Sequence, residues 1–359
     1  NYLGLSYHPE VIKAGEKALK KYGGSSVGAP MHTGTYDVHV KLEKKLAEIK
    51  GCEEIMLFPS GYTANLGVIS GLIMKDDVAI LDRLAHRSIL DGVALSGATM
   101  RTFRHSDMND LQRVLKSCES KYNGKVIIVD GVYSTEGDIC PLPEIVELGK
   151  KYDAKVMVDD AHAMGIIGEN GRGTISHFGM EGEVDIVVGT MSKALGCVGG
   201  FVGASKEVIN YLRHYGRSSV FSCNLPPQVA ASALKSIEIM ENEPEKIETL
   251  MKNVNYVREK LEALGFNLLD FYSAIVVVII GNDVIGKKMA AKILEEGIYL
   301  SYFPYPAVPV GKERLRLTVM STHTKEDLDK TIEILERVGK EYGVIDENSA
   351  TDKNISSAA

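Results

Sequence analysis

Asp185-Ile-Val-Val-Gly-Thr-Met-Ser-Lys193-Ala-Leu-Gly-Cys-Val-Gly-Gly200 is the stretch on which the fold of this chain turns. Its apolar run, Ile186 to Val188, reads as a buried strand ending in a turn of small hydroxyl residues, with Lys193 just beyond. Gly196, Gly199 and Gly200 follow, where backbone can pass close to something bulky. Upstream, a second apolar strand, Lys155-Val-Met-Val158, ends in Asp159-Asp-Ala-His162. Taken singly, a lysine at a strand end is ordinarily a solvated loop residue, and an Asp-Asp pair is ordinarily a cap or turn. In combination, an acid and a histidine at one strand end and a lysine at another are what a pyridoxal phosphate (PLP) site requires. The amine forms a Schiff base with the aldehyde, and the carboxylate keeps the pyridine nitrogen protonated so that the ring accepts electrons.

Outward from this stretch, strand and helix patterns alternate. Val78 to Leu81, Met100 to Phe103, Val126 to Val129, Val156 to Val158 and Phe201 to Val202 read as further short apolar strands. Amphipathic helices are expected over His8 to Lys21, Val38 to Lys50, Met108 to Cys118 and Pro143 to Lys151. Short, fully apolar strands separated by helices indicate an α/β fold with a mostly parallel sheet covered on both faces. The pattern changes at Pro226 to Met240 and Pro244 to Leu264, two consecutive long helices. A strand (Ile275 to Ile280), a helix (Ile285 to Glu296), a strand (Leu315 to Val319) and a closing helix (Lys325 to Tyr342) then give a smaller α+β domain. The expected organisation is an N-terminal segment over 1–20, a large domain over 21–240, a small domain over 241–345 and a disordered polar tail over 346–359. A chain opening on Asn1-Tyr-Leu-Gly-Leu, without a methionine, is expected to have lost an N-terminal piece.

Bulk properties narrow the function classes. The 359 residues are 45% hydrophobic and 25% charged, ordinary for a soluble globular protein, and suffice for two domains. The net charge of −7 with dispersed basic residues argues against a nucleic-acid surface. No apolar run approaches the ~20 residues of a membrane helix. Five cysteines (Cys52, Cys118, Cys140, Cys197, Cys223) lack metal-ligand spacing; reduced thiols in the cytoplasm and no metal site are expected.

Further candidate residues lie in other segments of the chain. In Phe58-Pro-Ser60-Gly61-Tyr62-Thr-Ala-Asn-Leu-Gly67 a turn opens a helix whose first N–H groups, at Gly61 and Tyr62, would make a phosphate site; an ordinary capped helix is the competing reading. Thr190 and Ser192 can add hydroxyl donors, and Ser222 is a further candidate with a weaker local signal. His86, after the strand ending at Leu81, is placed to stack on a pyridine face, or to cap its own helix. Arg316 is of the type that clamps a carboxylate, although an exposed strand arginine is the commoner case.

Together these segments resemble the α-oxoamine synthase family, fold-type I PLP enzymes that condense an amino acid with an acyl thioester. The resemblance runs from Asn1 to about Ile345. It is strongest in Asp130-Gly-Val-Tyr-Ser-Thr-Glu-Gly-Asp138, Val158-Asp-Asp-Ala-His-Ala-Met-Gly165, Gly168-Glu-Asn-Gly-Arg-Gly173 and Gly189-Thr-Met-Ser-Lys193. It implies a large domain with a seven-stranded sheet, PLP held covalently on Lys193, Asp159 on the pyridinium nitrogen, His162 on the phenolic oxygen, and His86 stacked on the ring with Ser134 near it. It also implies Ser60, Gly61, Tyr62, Thr190 and Ser192 about the phosphate, Ser222 reaching the phosphate of a partner subunit in a homodimer with shared sites, and Arg316 and Asn1 at the amino-acid carboxylate.

The substrate signals divide. Relatives usually carry an arginine where this chain has Ala29-Pro30-Met-His32-Thr-Gly34-Thr35. Serine palmitoyltransferases typically carry another where Pro304 stands, and that loop looks more like 2-amino-3-ketobutyrate CoA ligase. Arg104-His-Ser-Asp107, Gly131 to Ile139 and Ser192 to Gly200 look closer to the palmitoyltransferase. Pro30 and His32 mark an unusual acyl donor, a long chain or a carrier-protein thioester. The leading expectation is therefore serine palmitoyltransferase-like condensation of serine, glycine or alanine with an acyl-CoA or acyl-carrier thioester. The ketobutyrate ligase and 8-amino-7-oxononanoate synthase are the alternatives, and a catalytically silent partner subunit is the non-enzymatic one.

Overall fold

The computed structural model describes residues 1–270 and 273–346. The chain forms two compact units: residues 1, 3–133 and 139–244 make the first, and residue 2, 134–138 and the chain from Glu245 the second. The tail expected over 346–359 lies, from residue 347 on, outside the described residues.

In the first unit, β1 (Glu54–Phe58), β2 (Val78–Asp82), β3 (Thr99–Phe103), β4 (Lys125–Asp130), β5 (Lys155–Asp159), β6 (Ile186–Thr190) and β7 (Gly200–Ala204) form one seven-stranded sheet in the order β1-β7-β6-β5-β4-β2-β3. The strands β3, β2, β4, β5 and β6 pair in parallel, and β7 is antiparallel to both β6 and β1. Alternate residues feed two separate cores. Ala79, Leu81, Ile128, Met157, Val188 and Val202 pack with the helices Gly61–Leu72, Arg87–Ser96 and Lys206–Tyr215. Val78, Ile80, Ile127, Val129, Val156, Val158 and Val187 pack with Met108–Cys118 and Leu142–Lys151. Strands covered on both faces carry apolar side chains on both, which is why β2, β4, β5 and β6 read as nearly unbroken apolar runs, whereas the edge strand β3 is exposed at Met100, Arg101 and Thr102.

Register places the functional end. Phe58 and Thr190 both pair with Gly200, Asp159 pairs with Val188, and Asp130 pairs with Asp159. The carboxyl ends of β1, β2, β4, β5 and β6 and the amino end of β7 therefore share one sheet edge, where α/β sheets bind their ligands.

In the second unit, β8 (Ile275–Ile279), β9 (Ser301–Phe303) and β10 (Arg314–Thr318) form an antiparallel sheet in the order β8-β10-β9. The helices Glu245–Ala263, Asp283–Glu295 and Lys325–Glu341 belong to the same unit. No helix among the described residues is long and apolar enough to cross a membrane.

Candidate active site

The turn after β6 folds back on itself. Met191 N–H donates to Gly199 O (2.9 Å) and Cys197 N–H to Met191 O (2.8 Å), closing a tight loop that carries Lys193. Gly199, at φ +133°, is required there: a Cβ would sit 2.2 Å from Met191 Cε. Thr190 Oγ1 lies 2.8 Å from Ser192 Oγ and donates to Gly199 O (3.0 Å), so the two hydroxyls sit side by side on this loop.

Against this loop abuts the N-terminus of the helix Gly61–Leu72. A Cβ on Gly61 would meet Thr190 Cβ at 3.0 Å, and one on Gly200 would lie 2.4 Å from Ser60 O and 2.5 Å from Gly61 N. Ser60 is the N-cap, its Oγ accepting Thr63 N–H at 3.1 Å. The N–H groups of Gly61 and Tyr62 are among the first four of the helix, which have no carbonyl partner within it. Backbone donors, two hydroxyls and side-chain-free glycines thus form an anion cradle at a positive helix end.

Asp159 ends β5, buried, and accepts Asn65 Nδ2–H at 2.6 Å and Ala161 N–H at 3.0 Å. The following turn carries His162, half-buried; Gly165 (φ +77°) sets this turn against the lysine loop, since a Cβ there would come within 2.4 Å of Ala194 Cβ. His86 caps the helix Arg87–Ser96 through its ring and donates its backbone N–H to Asp130 Oδ2 (2.9 Å). Burial lowers the His86 pKa, Asp159 opposes this, and the charge of Lys193 reinforces it. Burial and the adjacent Asp159 charge push the Asp130 carboxyl well above the usual range. The structure accordingly brings Lys193, Asp159 and His86 into one electrostatic neighbourhood. Asn1 borders it: its Oδ1 accepts Ser6 N–H (3.1 Å), and Ser6 N lies 2.4 Å from where a Gly196 Cβ would be.

The remaining expected residues are Ser222, Ser134 and Arg316. Ser222 follows the short helix Arg217–Val220, whose Ser218 Oγ donates to Thr63 O at 2.5 Å. Ser134 and Arg316 belong to the second unit, where Arg316 Nη1 donates to Ser134 O (2.8 Å) and the guanidinium lies 4.9 Å from the Phe303 ring centroid. Arg316 Nε is buried and has no hydrogen-bond partner among the described residues.

Sequence reasoning assigned no role to Asn65, Ser88, Asp130 or Lys50. Lys50 Nζ, fully buried, pairs with Asp160 Oδ2 (2.6 Å) and donates to Arg172 O (2.7 Å), while Asp160 Oδ1 accepts Thr174 N–H (3.0 Å). Breaking a buried pair strands the other charge, so Lys50→Met is expected to lower unfolding stability by about 3–5 kcal/mol in urea titration. A loss below about 1 kcal/mol would show that the pair is not structural. A cavity of ≈ 750 Å³ opens at the opposite sheet edge, where Lys155 pairs with Asp185 at 2.9 Å, and none of the candidate site residues lines it.

The family model for aminotransferase class I and II matches residues 1–335. The chain belongs to that family. Relatives place it in the α-oxoamine synthase branch as a PLP-dependent C-acyltransferase of fold type I. It is 42% identical to 8-amino-7-oxononanoate synthase 1 of Bacillus subtilis (strain 168) and 45% identical to 8-amino-7-oxononanoate synthase of Symbiobacterium thermophilum, in each case over 96% of this chain and 88% of the relative. Among solved structures it matches serine palmitoyltransferase of Sphingomonas wittichii with a TM-score of 0.93 at 38% identity, covering 96% of this chain and 87% of that one. A serine palmitoyltransferase solved with PLP superposes equally well, with a TM-score of 0.93. The expected palmitoyltransferase likeness is therefore real in the fold, while the curated relatives favour the alternative, 8-amino-7-oxononanoate synthase. The residues of this α-oxoamine synthase fit PLP: the glycine-lined cradle suits a phosphate, Asp159 suits a pyridinium and Lys193 suits an aldehyde.

Proposed function

We propose that this α-oxoamine synthase condenses alanine with a seven-carbon dicarboxylic monoacyl thioester. The observation that carries this reading is the 45% identity, over 96% of the chain, to an 8-amino-7-oxononanoate synthase. The carbon skeleton in that name divides one way under decarboxylative condensation. The terminal CH(NH2)–CH3 is alanine without its carboxyl group, and the ketone with the rest of the chain is a heptanedioyl group. Alanine and the thioester give the amino ketone, CO2 and a thiol, with one proton taken up.

Lys193 would hold the cofactor through its aldehyde, and its amine would serve as the base at Cα. PLP, when bound, supplies an electron sink for the charge that develops at Cα. Asp159 sustains that sink by holding the ring nitrogen protonated, in an orientation fixed by Asn65 and Ala161 N–H. His86 would cover the ring face and His162 would donate to the phenolic oxygen. Ser60, Gly61, Tyr62, Thr190 and Ser192 would hold the phosphate, Ser60 being the N-cap of the helix whose first N–H groups would share that role. Arg316, beside Ser134 and with its Nε unspent, would receive the amino-acid carboxylate, and Asn1 is assigned to the same group. Arg316→Ala is expected to raise the KM for the amino acid roughly 10–100-fold, the size of a lost charged pair, with a smaller change in kcat. An unchanged KM would remove Arg316 from the site.

The working unit is a homodimer with shared sites. Phe221 is 85% exposed next to Ser222, an aromatic position that a second subunit would cover. Light scattering that returned only monomer at micromolar concentration would refute it.

Thiol release, assayed with glycine, serine and alanine against heptanedioyl-CoA and palmitoyl-CoA, tests the substrates. Release that needs alanine and heptanedioyl-CoA together supports the proposal. Release with serine and palmitoyl-CoA alone would return the chain to the palmitoyltransferase reading, which the TM-score of 0.93 favours.

A further inference from the structure

Asn65 is 1% exposed in the apolar helix Gly61–Leu72, a costly place for an amide unless its polar atoms are used. Both hydrogens of Nδ2 are used: one goes to Asp159 Oδ2 at 2.6 Å, the other to Ser88 Oγ at 2.9 Å. An ionised carboxylate only accepts, so the nitrogen, not the oxygen, must face Asp159. Oδ1 is left buried without a partner among the described residues. Ser88 Oγ, itself fully buried, accepts from Asn65, and its own proton has His86 Nδ1 at 2.7 Å. The Ser88 backbone N–H points at the same nitrogen from 3.4 Å. A nitrogen met by two donors offers its lone pair, so the ring proton belongs on Nε2.

We propose that Asn65 and Ser88 are positioning residues: the Asn65 amide donates to Asp159 on one side and to Ser88 on the other, and Ser88 passes its own proton on to His86, a directed hydrogen-bond array that holds His86 as its neutral Nε2–H tautomer. The array gives the two groups assigned to the cofactor ring, the carboxylate and the stacking histidine, a common mounting on the helix that cradles the phosphate. This inference rests on the assignment of Asp159 and His86 to the PLP site. The charged groups around the imidazole are Asp159 on β5, Asp130 on β4, Lys193 after β6 and Asp91 on the histidine's own helix. Burial and Lys193 hold the ring below its ordinary pKa, and Asp159 and Asp91 act the other way. Losing a donor to Nδ1 removes support for the neutral form and moves the titration upward.

The test is ring 15N–1H correlation spectroscopy of the full chain labelled at histidine, with PLP and without it, as a function of pH. In the wild type His86 is expected to show a protonated Nε2 and a hydrogen-bonded, unprotonated Nδ1. Ser88→Ala is expected to raise the His86 midpoint by roughly 0.5–1 pH unit, the worth of one hydrogen bond. Asn65→Asp keeps the shape but turns a donor into an acceptor. The Ser88 hydroxyl then turns to residue 65, Ser88 Oγ accepts from the ring, and the proton moves to Nδ1. A wild-type His86 protonated on Nδ1, a Ser88→Ala midpoint that stays or falls, or an Asn65→Asp ring that keeps its tautomer would each overturn the proposal. Should Asn65→Asp not fold, the wild-type tautomer and the Ser88→Ala midpoint decide alone. The readout is independent of turnover, so failure of the synthase reading would appear in thiol release and not in the ring shifts.

Discussion

Lys193→Ala is expected to lower turnover by about 10⁴-fold or more, beyond the upper end of what a positioned proton-transfer group supplies alone. The excess is expected because, on the proposed reading, one amine would both hold the cofactor and take the Cα proton. Its side chain is half-buried at a loop held by backbone hydrogen bonds between Met191, Cys197 and Gly199, so the loop survives the truncation. Two measurements check this: steady-state thiol release, and peptide mapping after borohydride reduction of the PLP-loaded wild type. The cofactor's mass is expected on the peptide containing Lys193 and on no other. Multiple-turnover activity in the alanine variant, or label on a different lysine, would end the assignment.

Asp159→Asn is expected to reduce kcat by roughly 10²–10³-fold while PLP still binds, the scale found when a preorganised charge-stabilising group is removed. The loss has two sources. A neutral amide no longer favours a protonated ring nitrogen, and its NH2 opposes one of the N–H groups, from Asn65 and Ala161, that Asp159 now accepts. The cradle at Gly61, Tyr62, Thr190 and Ser192 is untouched, so cofactor affinity falls much less than kcat. A kcat within a few-fold of wild type at saturating PLP would shift the role to another group, Asp130 first.

Much of the sheet was legible because burial on both faces writes itself as continuous apolar runs: β2, β4, β5 and β6 were each anticipated within a residue or two, and so was β3, although that edge strand is largely exposed. The strand β1 was not, since Ile55-Met-Leu-Phe58 runs directly into the Pro-Ser-Gly turn that drew notice for its helix. The direction of β7 carried a signal that went unread. Only Met191 to Gly199 separates it from β6, too short for a crossover helix, and parallel neighbours need one. The strand β9 spans three residues, too few for any periodicity. At the site, Lys193, Asp159 and His86 stood out by residue type at strand ends. Asn65 and Ser88 did not, because their meaning lies in a contact between two helices that no spacing along the chain encodes. A buried asparagine inside an apolar helix was the only clue on offer.

The adjacent carboxylates Asp159 and Asp160 look interchangeable in sequence, and the buried lysine is what tells them apart. Asp159 meets Asn65 and Asp160 meets Lys50, so the two acids are sorted to opposite destinations by partners that only one geometry can satisfy. A slip of one residue would send each acid to the wrong side. Lys50 therefore works as a keyed plug beneath the sheet edge. It admits one seating of β5, and damage to it would surface as an enzyme whose electron sink is misaligned, although the lysine's partners, Asp160 and Arg172, are not among the residues assigned to the cofactor.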